Sequence, residues 1–347
     1  MSEINKFMEF VDRTLLLHDV SNIQKFHLKT NKHIYTNSVH SWIANLTRRN
    51  IEELHLLLDQ DTPFFISLSL FTCQSLIKLD LTANSATHLP RSFCFPKLKR
   101  LTLRRIQFTD DCWNEQHFSK CPVIEELILS DSTWFGVRNF CISTPTLKLL
   151  NIYTWEADGL QDCALKINAP NLVSLAYLGC VAKEYVLSSF QALESAEVYF
   201  CTDDVQIEQE IGNVAAASKF TRALSHVQNL ELHAETLEAL SIANDFVNIL
   251  PVFHDLKYLI LVEGKTTDKS LFTLFKAVPN LRCLVFEEAS ALNFSFLSPV
   301  FVEMAKLVLG FNLFLFFCYL ILTQGCIDDN KEEEHSWVIG VTKDNLK

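Results

Sequence analysis

A short apolar pattern, repeated at near-constant spacing, constrains this chain more than any other feature. The motif apolar-x-x-apolar-x-apolar begins at Ile51, Leu54 and Leu56 and returns at Leu76, Leu79 and Leu81. It recurs at Leu98, Leu101 and Leu103, at Ile124, Leu127 and Leu129, and at Leu147, Leu150 and Ile152. Further copies are Leu172, Leu175 and Tyr177, then a weaker one at Leu193, Ala196 and Val198. Val227, Leu230 and Leu232, then Leu256, Leu259 and Leu261, then Leu281, Leu284 and Phe286 complete the series, and Ile23, Phe26 and Leu28 make a first rung. From Ile51 onward the starts lie 25, 22, 26, 23, 25, 21, 34, 29 and 25 residues apart. That is the leucine-rich-repeat period, with insertions in the later part. No unit of this kind can bury its own apolar side, so stacking is obligatory. The expected fold class is α/β: a leucine-rich-repeat solenoid with a curved parallel β-sheet on its concave face and helices or irregular returns on its convex face.

Proline punctuates the pattern. Pro96, Pro122, Pro145, Pro170 and Pro279 each sit two residues before a first apolar position, where proline stops the preceding segment and forces an extended entry into the strand. Between rungs the period turns helical in places. Asp110 and Asp268 are expected N-caps, with Trp113 and Phe118 in the first return and Leu271, Leu274 and Phe275 in the other turned toward the strands. Trp42, Ile43 and Leu46 share one helical face.

Composition narrows function. Hydrophobic residues make up 49% and charged residues 20% of 347 positions, which are globular proportions. The net charge of −11 repels phosphate backbones, so no nucleic-acid partner is expected. The cysteines are scattered, with no C-x-x-C pair, and read as small buried hydrophobes of a reducing compartment, cytoplasmic or nuclear. MSEINKFMEF has no cationic flank followed by an apolar run, so no signal peptide is expected.

No phosphate-binding loop, dinucleotide fingerprint, nucleophile elbow or H-E-x-x-H occurs. The pairs Asp110-Asp111 and Asp203-Asp204 read as caps after strands rather than as acid/base or metal pairs. His27 and His55, between apolar rung positions, read as outward sheet residues rather than ligands. No catalytic residue, cofactor or metal is expected. Functional candidates come instead from strand alternation: if Leu79, Leu101, Leu127 and Leu150 point inward, residues of opposite parity line the open sheet. That row holds Lys78, Asp80, Arg100, Thr102, Arg104, Glu126, Ser130, Asn151 and Tyr153, with Trp155 at its edge. Arginine and aromatic side chains on a rigid face are frequent protein-partner anchors.

Eight phrases carry a family resemblance, in order: "FVDRTLLLHDVSNIQKFHLKT", "WIANLTRRNIEELHLLL", "LFTCQSLIKLDL", "FPKLKRLTLRRIQFTDD", "CPVIEELILSD", "APNLVSLAYLG", "LPVFHDLKYLIL" and "VPNLRCLVFEE". Together they resemble the plant F-box/leucine-rich-repeat/FBD proteins from about Phe7 to Glu288. The resemblance implies a non-enzymatic solenoid that presents a protein substrate to a cullin-RING ubiquitin ligase. Only six residues precede Phe7, so the F-box is expected to be missing and the ligase adaptor is not an expected partner. A full FBD segment is likewise not expected in the last ten residues.

The run LVLGFNLFLFFCYLIL, Leu307 to Leu322, stands apart. As a helix its 16 residues would span about 24 Å, short of the roughly 30 Å hydrocarbon core. Extension backward meets Glu303 and Lys306, which are costly in lipid. A core helix apolar on all sides needs burial all round. Its Phe, Leu, Ile, Tyr and Cys content matches uridine-rich codons, and Thr323-Gln324 suits a splice acceptor, so intron read-through is the preferred reading. A membrane anchor and a capping core helix are the alternatives. Once translated, the run is expected to be a helix exposing Leu307, Phe311, Phe314, Phe317 and Leu320, which makes a membrane-tethered repeat protein the alternative function. The expected domains are a repeat solenoid over 1–288, a connector over 289–306, the hydrophobic helix over 307–322 and a disordered acidic tail over 323–347.

Overall fold

The computed structural model describes residues 3–17, 23–30, 34–58, 66–90, 93–109, 118–154, 159–201, 207–241, 250–262, 267–288, 319–321 and 337–342. In chain order the first strands are β1 (Lys25–Thr30), β2 (Glu53–Leu58), β3 (Lys78–His88), β4 (Arg100–Gln107), β5 (Glu126–Ser130) and β6 (Asn139–Ser143). They are followed by β7 (Leu149–Tyr153), β8 (Ala164–Asn168), β9 (Ser174–Cys180), β10 (Glu184–Leu187) and β11 (Ser195–Cys201). The last are β12 (Asn229–His233), β13 (Tyr258–Val262), β14 (Cys283–Glu288), β15 (Tyr319–Ile321) and β16 (Trp337–Thr342). Among the described residues five α-helices intervene: α1 (Glu3–Leu17), α2 (Thr36–Arg48), α3 (Ile207–Ala223), α4 (Ala234–Ser241) and α5 (Asp268–Ala277).

The chain divides into two compact units, one of residues 1–172 with 182–192 and one of 173–181 with 193–347. In the first, β1, β2, β3, β4, β5 and β7 pair in sequence, every pair parallel. In the second, β9, β11, β12, β13 and β14 do the same. This is the leucine-rich-repeat architecture, one rung per strand. Register is in step with the repeat: Leu54, Leu79, Leu101, Leu127 and Leu150 face one another across neighbouring strands, as do Leu56, Leu81, Leu103, Leu129 and Ile152. All ten are 3% exposed or less, so the inward ladder is a continuous core. Phe108, Trp134 and Phe140 extend it with ring centroids 4.9–5.6 Å apart. In the second unit Tyr177, Phe200 and Phe220 play the same part at 5.2–5.7 Å.

Each rung enters its strand through one shared acceptor. The carbonyls of Gln24, Glu52, Ile77, Lys99 and Glu125 each accept two successive N–H groups from the next rung, at 2.8–3.2 Å. Val173, Glu194, Gln228 and Lys257 repeat the arrangement in the second unit. Proline acts one step earlier than the strand. At Phe95–Leu98, Cys121–Ile124, Ala169–Leu172 and Val278–Leu281 the carbonyl before proline accepts the N–H three residues on. Proline is therefore the second residue of a tight turn, where its fixed φ fits. The Asn171 and Asn280 side-chain amides then donate to the carbonyls of Pro145 and His254 in the preceding turn, both at 2.8 Å.

Several expectations change. Returns were expected to be helical or irregular, yet β6, β8 and β10 form a second, three-stranded parallel sheet. Their alternating sequences explain it: Phe140, Ile142, Leu165, Ile167 and Tyr185 all face inward and are buried. The N-cap of α5 is Thr267, not Asp268. The Thr267 hydroxyl accepts from the Ser270 N–H at 3.3 Å while the Glu238 carboxylate accepts from the Thr267 N–H at 2.6 Å. In α2, Trp42, Ile43 and Leu46 are buried together as the period requires, and Trp42 Nε1 donates to Asp12 Oδ1 of α1 at 2.5 Å.

At the C-terminus, the hydrophobic run was expected to be helical and the tail disordered. Tyr319–Ile321 is instead strand β15, and Trp337–Thr342 is strand β16, antiparallel to both β15 and β14. The β-branched residues of WVIGVT suit a strand, and β14 offers it an edge. Leu307, Phe311, Phe314 and Phe317 lie outside the described residues, as do Asp110, Asp111, Asp203 and Asp204; Leu320 is described only as part of β15. Among the described residues no helix is long and apolar enough to cross a membrane.

Two measurements check this core. Leu127→Ala, at a fully buried position, should destabilise the fold by about 2–5 kcal/mol in urea unfolding. Burial pushes the Cys121 thiol up to about 12, so native protein should resist alkylation there, and peptide mapping should find Cys121 modified only after denaturation.

Candidate partner-binding face

Register sorts the outward residues of the first unit into three rows running across the strands. One row is Lys25, Glu53, Lys78, Arg100, Glu126 and Leu149. A second is His27, His55, Asp80, Thr102, Ile128 and Asn151; a third is Lys29, Leu57, Thr82, Arg104, Ser130 and Tyr153. The parity expected from the repeat thus holds, and nine of the ten residues expected in that row share one face: Lys78, Asp80, Arg100, Thr102, Arg104, Glu126, Ser130, Asn151 and Tyr153. Trp155 lies outside the described residues.

Sharing the face does not make them equally reachable. Thr102 is only 3% exposed and Ser130 is buried too, because each is a short side chain in a row between longer ones. They support the face and offer little contact area. Arg100 and Arg104 retain 41% and 39% side-chain exposure. The Arg100 guanidinium grips Glu126 with two N–H donors, Nη2 to Oε1 at 2.7 Å and Nε to Oε2. That hydrogen bond raises its pKa above the ordinary arginine value. Arg104 Nη1 donates to Asp80 Oδ1 at 2.8 Å, and His55 Nδ1 lies 3.5 Å from the other oxygen of the same carboxylate. Asn151 Nδ2 donates to the Tyr153 hydroxyl at 2.9 Å. At the outer edge a hydrogen bond from Lys25 holds the Glu53 carboxyl below its usual range.

These contacts hold side chains in place more than they hold the fold together. Ion pairs this exposed contribute between about zero and 1 kcal/mol, a sum that an incoming carboxylate can match. Half-buried Leu57, Ile128 and Leu149 interleave the charges. Sequence reasoning passed over these three, although they have the same parity as Arg100 and could have been found by it.

The second unit presents a different face. Glu197 and Glu231 are in register on β11 and β12, and His233 is two residues further along β12. One ligand atom from each of the three falls within 4.8 Å of the others. The His233 ring meets Tyr199 at 4.9 Å between centroids, and burial lowers its pKa below the ordinary histidine value. Cys180 and Cys201 pair in register with their sulfurs 2.9 Å apart. Nothing in the spacing of these residues singled them out.

Residues 39–191 match the family described as the LRR repeats of the FBD-associated F-box protein At5g56370. The repeats are similar to those of plant F-box/LRR proteins. The chain is 29% identical over 297 residues to F-box/LRR-repeat protein At4g14096 of Arabidopsis thaliana, covering 82% of this chain and 60% of that protein. It is 32% identical over 293 residues to the putative F-box/FBD/LRR-repeat protein At3g59240 of the same plant, covering 83% of this chain and 57% of that one. It therefore spans about three fifths of the length of these F-box/LRR relatives. The match over 39–191 includes the rungs that carry the Arg100, Arg104 and Tyr153 face.

Because the outward pairs are exposed, Arg100→Ala and Arg104→Ala should each shift stability by less than about 1 kcal/mol. Urea midpoints of the two variants beside wild type check this, and a larger loss would make the arginines structural rather than available to a partner.

Proposed function

We propose that this chain is a non-enzymatic protein-recognition module whose first-unit face grips a partner segment through Arg100, Arg104 and Tyr153. One observation carries the reading: two arginines and a tyrosine are held in fixed positions by neighbours on a rigid parallel sheet, with apolar Ile128 between them. Preorganised side chains lose little conformational freedom on binding, and arginine and tyrosine are the residue types that dominate interface energetics. A fitting partner offers carboxylates to the two arginines and an apolar side chain over Ile128. The names of the F-box/LRR relatives support a further step, that this face selects the protein substrate of a cullin-RING ubiquitin ligase.

The test is a triple substitution, R100A/R104A/Y153A, in the full chain. Partners captured by wild type and identified by cross-linking should lose about 2 kcal/mol of affinity or more, roughly 30-fold, while the unfolding midpoint stays near that of wild type. Partners whose affinity is untouched by all three changes would place the binding face elsewhere on the protein.

A further inference from the structure

We infer that Glu197, Glu231 and His233 form a binding site for a divalent transition-metal ion of the zinc class on the outward face of the second unit. The sheet itself builds the constellation. Glu231 and His233 are two residues apart on β12 and so project to the same side. Parallel register puts Glu197 directly beside Glu231. All three are half-buried, and their candidate ligand atoms lie within 4.8 Å of one another. Two carboxylate oxygens and an imidazole nitrogen around a tetrahedral ion sit roughly 3.3–3.6 Å apart, so small side-chain rotations close the set.

The donor chemistry selects the ion. Two carboxylates in register on adjacent strands repel each other, and a cation held between them converts that repulsion into attraction. The imidazole argues against calcium or magnesium, which take all-oxygen shells, and for zinc or its first-row neighbours. Tyr199 packs against the His233 ring and limits its swing. Three protein ligands leave one tetrahedral position for water. The inference is independent of the partner-binding face, since it uses no residue of the first unit.

Zinc titration of the metal-stripped full chain, by calorimetry and by competition with a chromophoric chelator, tests the site. Wild type should bind one zinc ion per chain at this site at neutral pH. E197Q, E231Q and H233A should each weaken that binding about tenfold or more, because even groups that only support a metal ligand are worth roughly 10–100-fold. E231Q keeps side-chain shape and guards against misreading an unfolded H233A. C180S/C201S should bind as wild type does, which separates this site from thiol capture. Cobalt(II) substitution should give a visible spectrum without thiolate charge transfer. Equal zinc affinity in wild type, E231Q and H233A, or no binding at micromolar free zinc, overturns the inference.

Discussion

A single carbonyl oxygen accepting two N–H groups from the following rung sets the register on which everything else depends. The oxygen has two lone pairs, and at Glu52, Ile77 and Lys99 both are used by consecutive residues at the next strand's entrance. A slip of one residue would break both bonds and turn every leucine of that strand to the outer face. The core would lose its continuous ladder, and Arg100 and Glu126 would no longer be neighbours. Backbone geometry at the strand entrance therefore aligns the inner leucines and the outer charges in one act.

The two faces of the first sheet do different physical work. Inward, each leucine touches its equivalents above and below, and burial of such a side chain is worth about 1.5–3 kcal/mol. Outward, arginine–carboxylate pairs remain over a third exposed on the arginine side and contribute far less. Stability resides in one face and exchangeable contacts in the other. This separation lets outer residues vary without loss of the fold, which suits a surface that selects partners.

Much of this was legible from spacing alone. The leucine period located the rungs, and strand parity placed Lys78, Arg100, Arg104 and Tyr153 on a common face, because both depend on local alternation. Three things were not legible. Thr102 is outward by parity yet buried, since exposure depends on the length of its neighbours' side chains. The strands of the second sheet hid among returns because segments as short as NFCIS and ALKIN form strands only when a partner strand lies alongside. Glu197 and Glu231 stand apart in the chain and meet through the longer insertion between their rungs, so no linear motif marks them.

The second sheet also has a consequence for how rungs stack. Strands β5 and β7 lie side by side at the front and β6 and β8 at the back. Hydrogen-bonded strands sit about 4.8 Å apart, whereas packed helices need about 8–10 Å. Rungs with helical returns must fan open, because the back of each is wider than the front. Where both sides are strands the two spacings agree, and adjacent rungs lie flat on one another. Bending along this stretch is thus opposed by two hydrogen-bonded ladders at once, and the Glu126 to Tyr153 part of the outer face rests on the segment least able to flex.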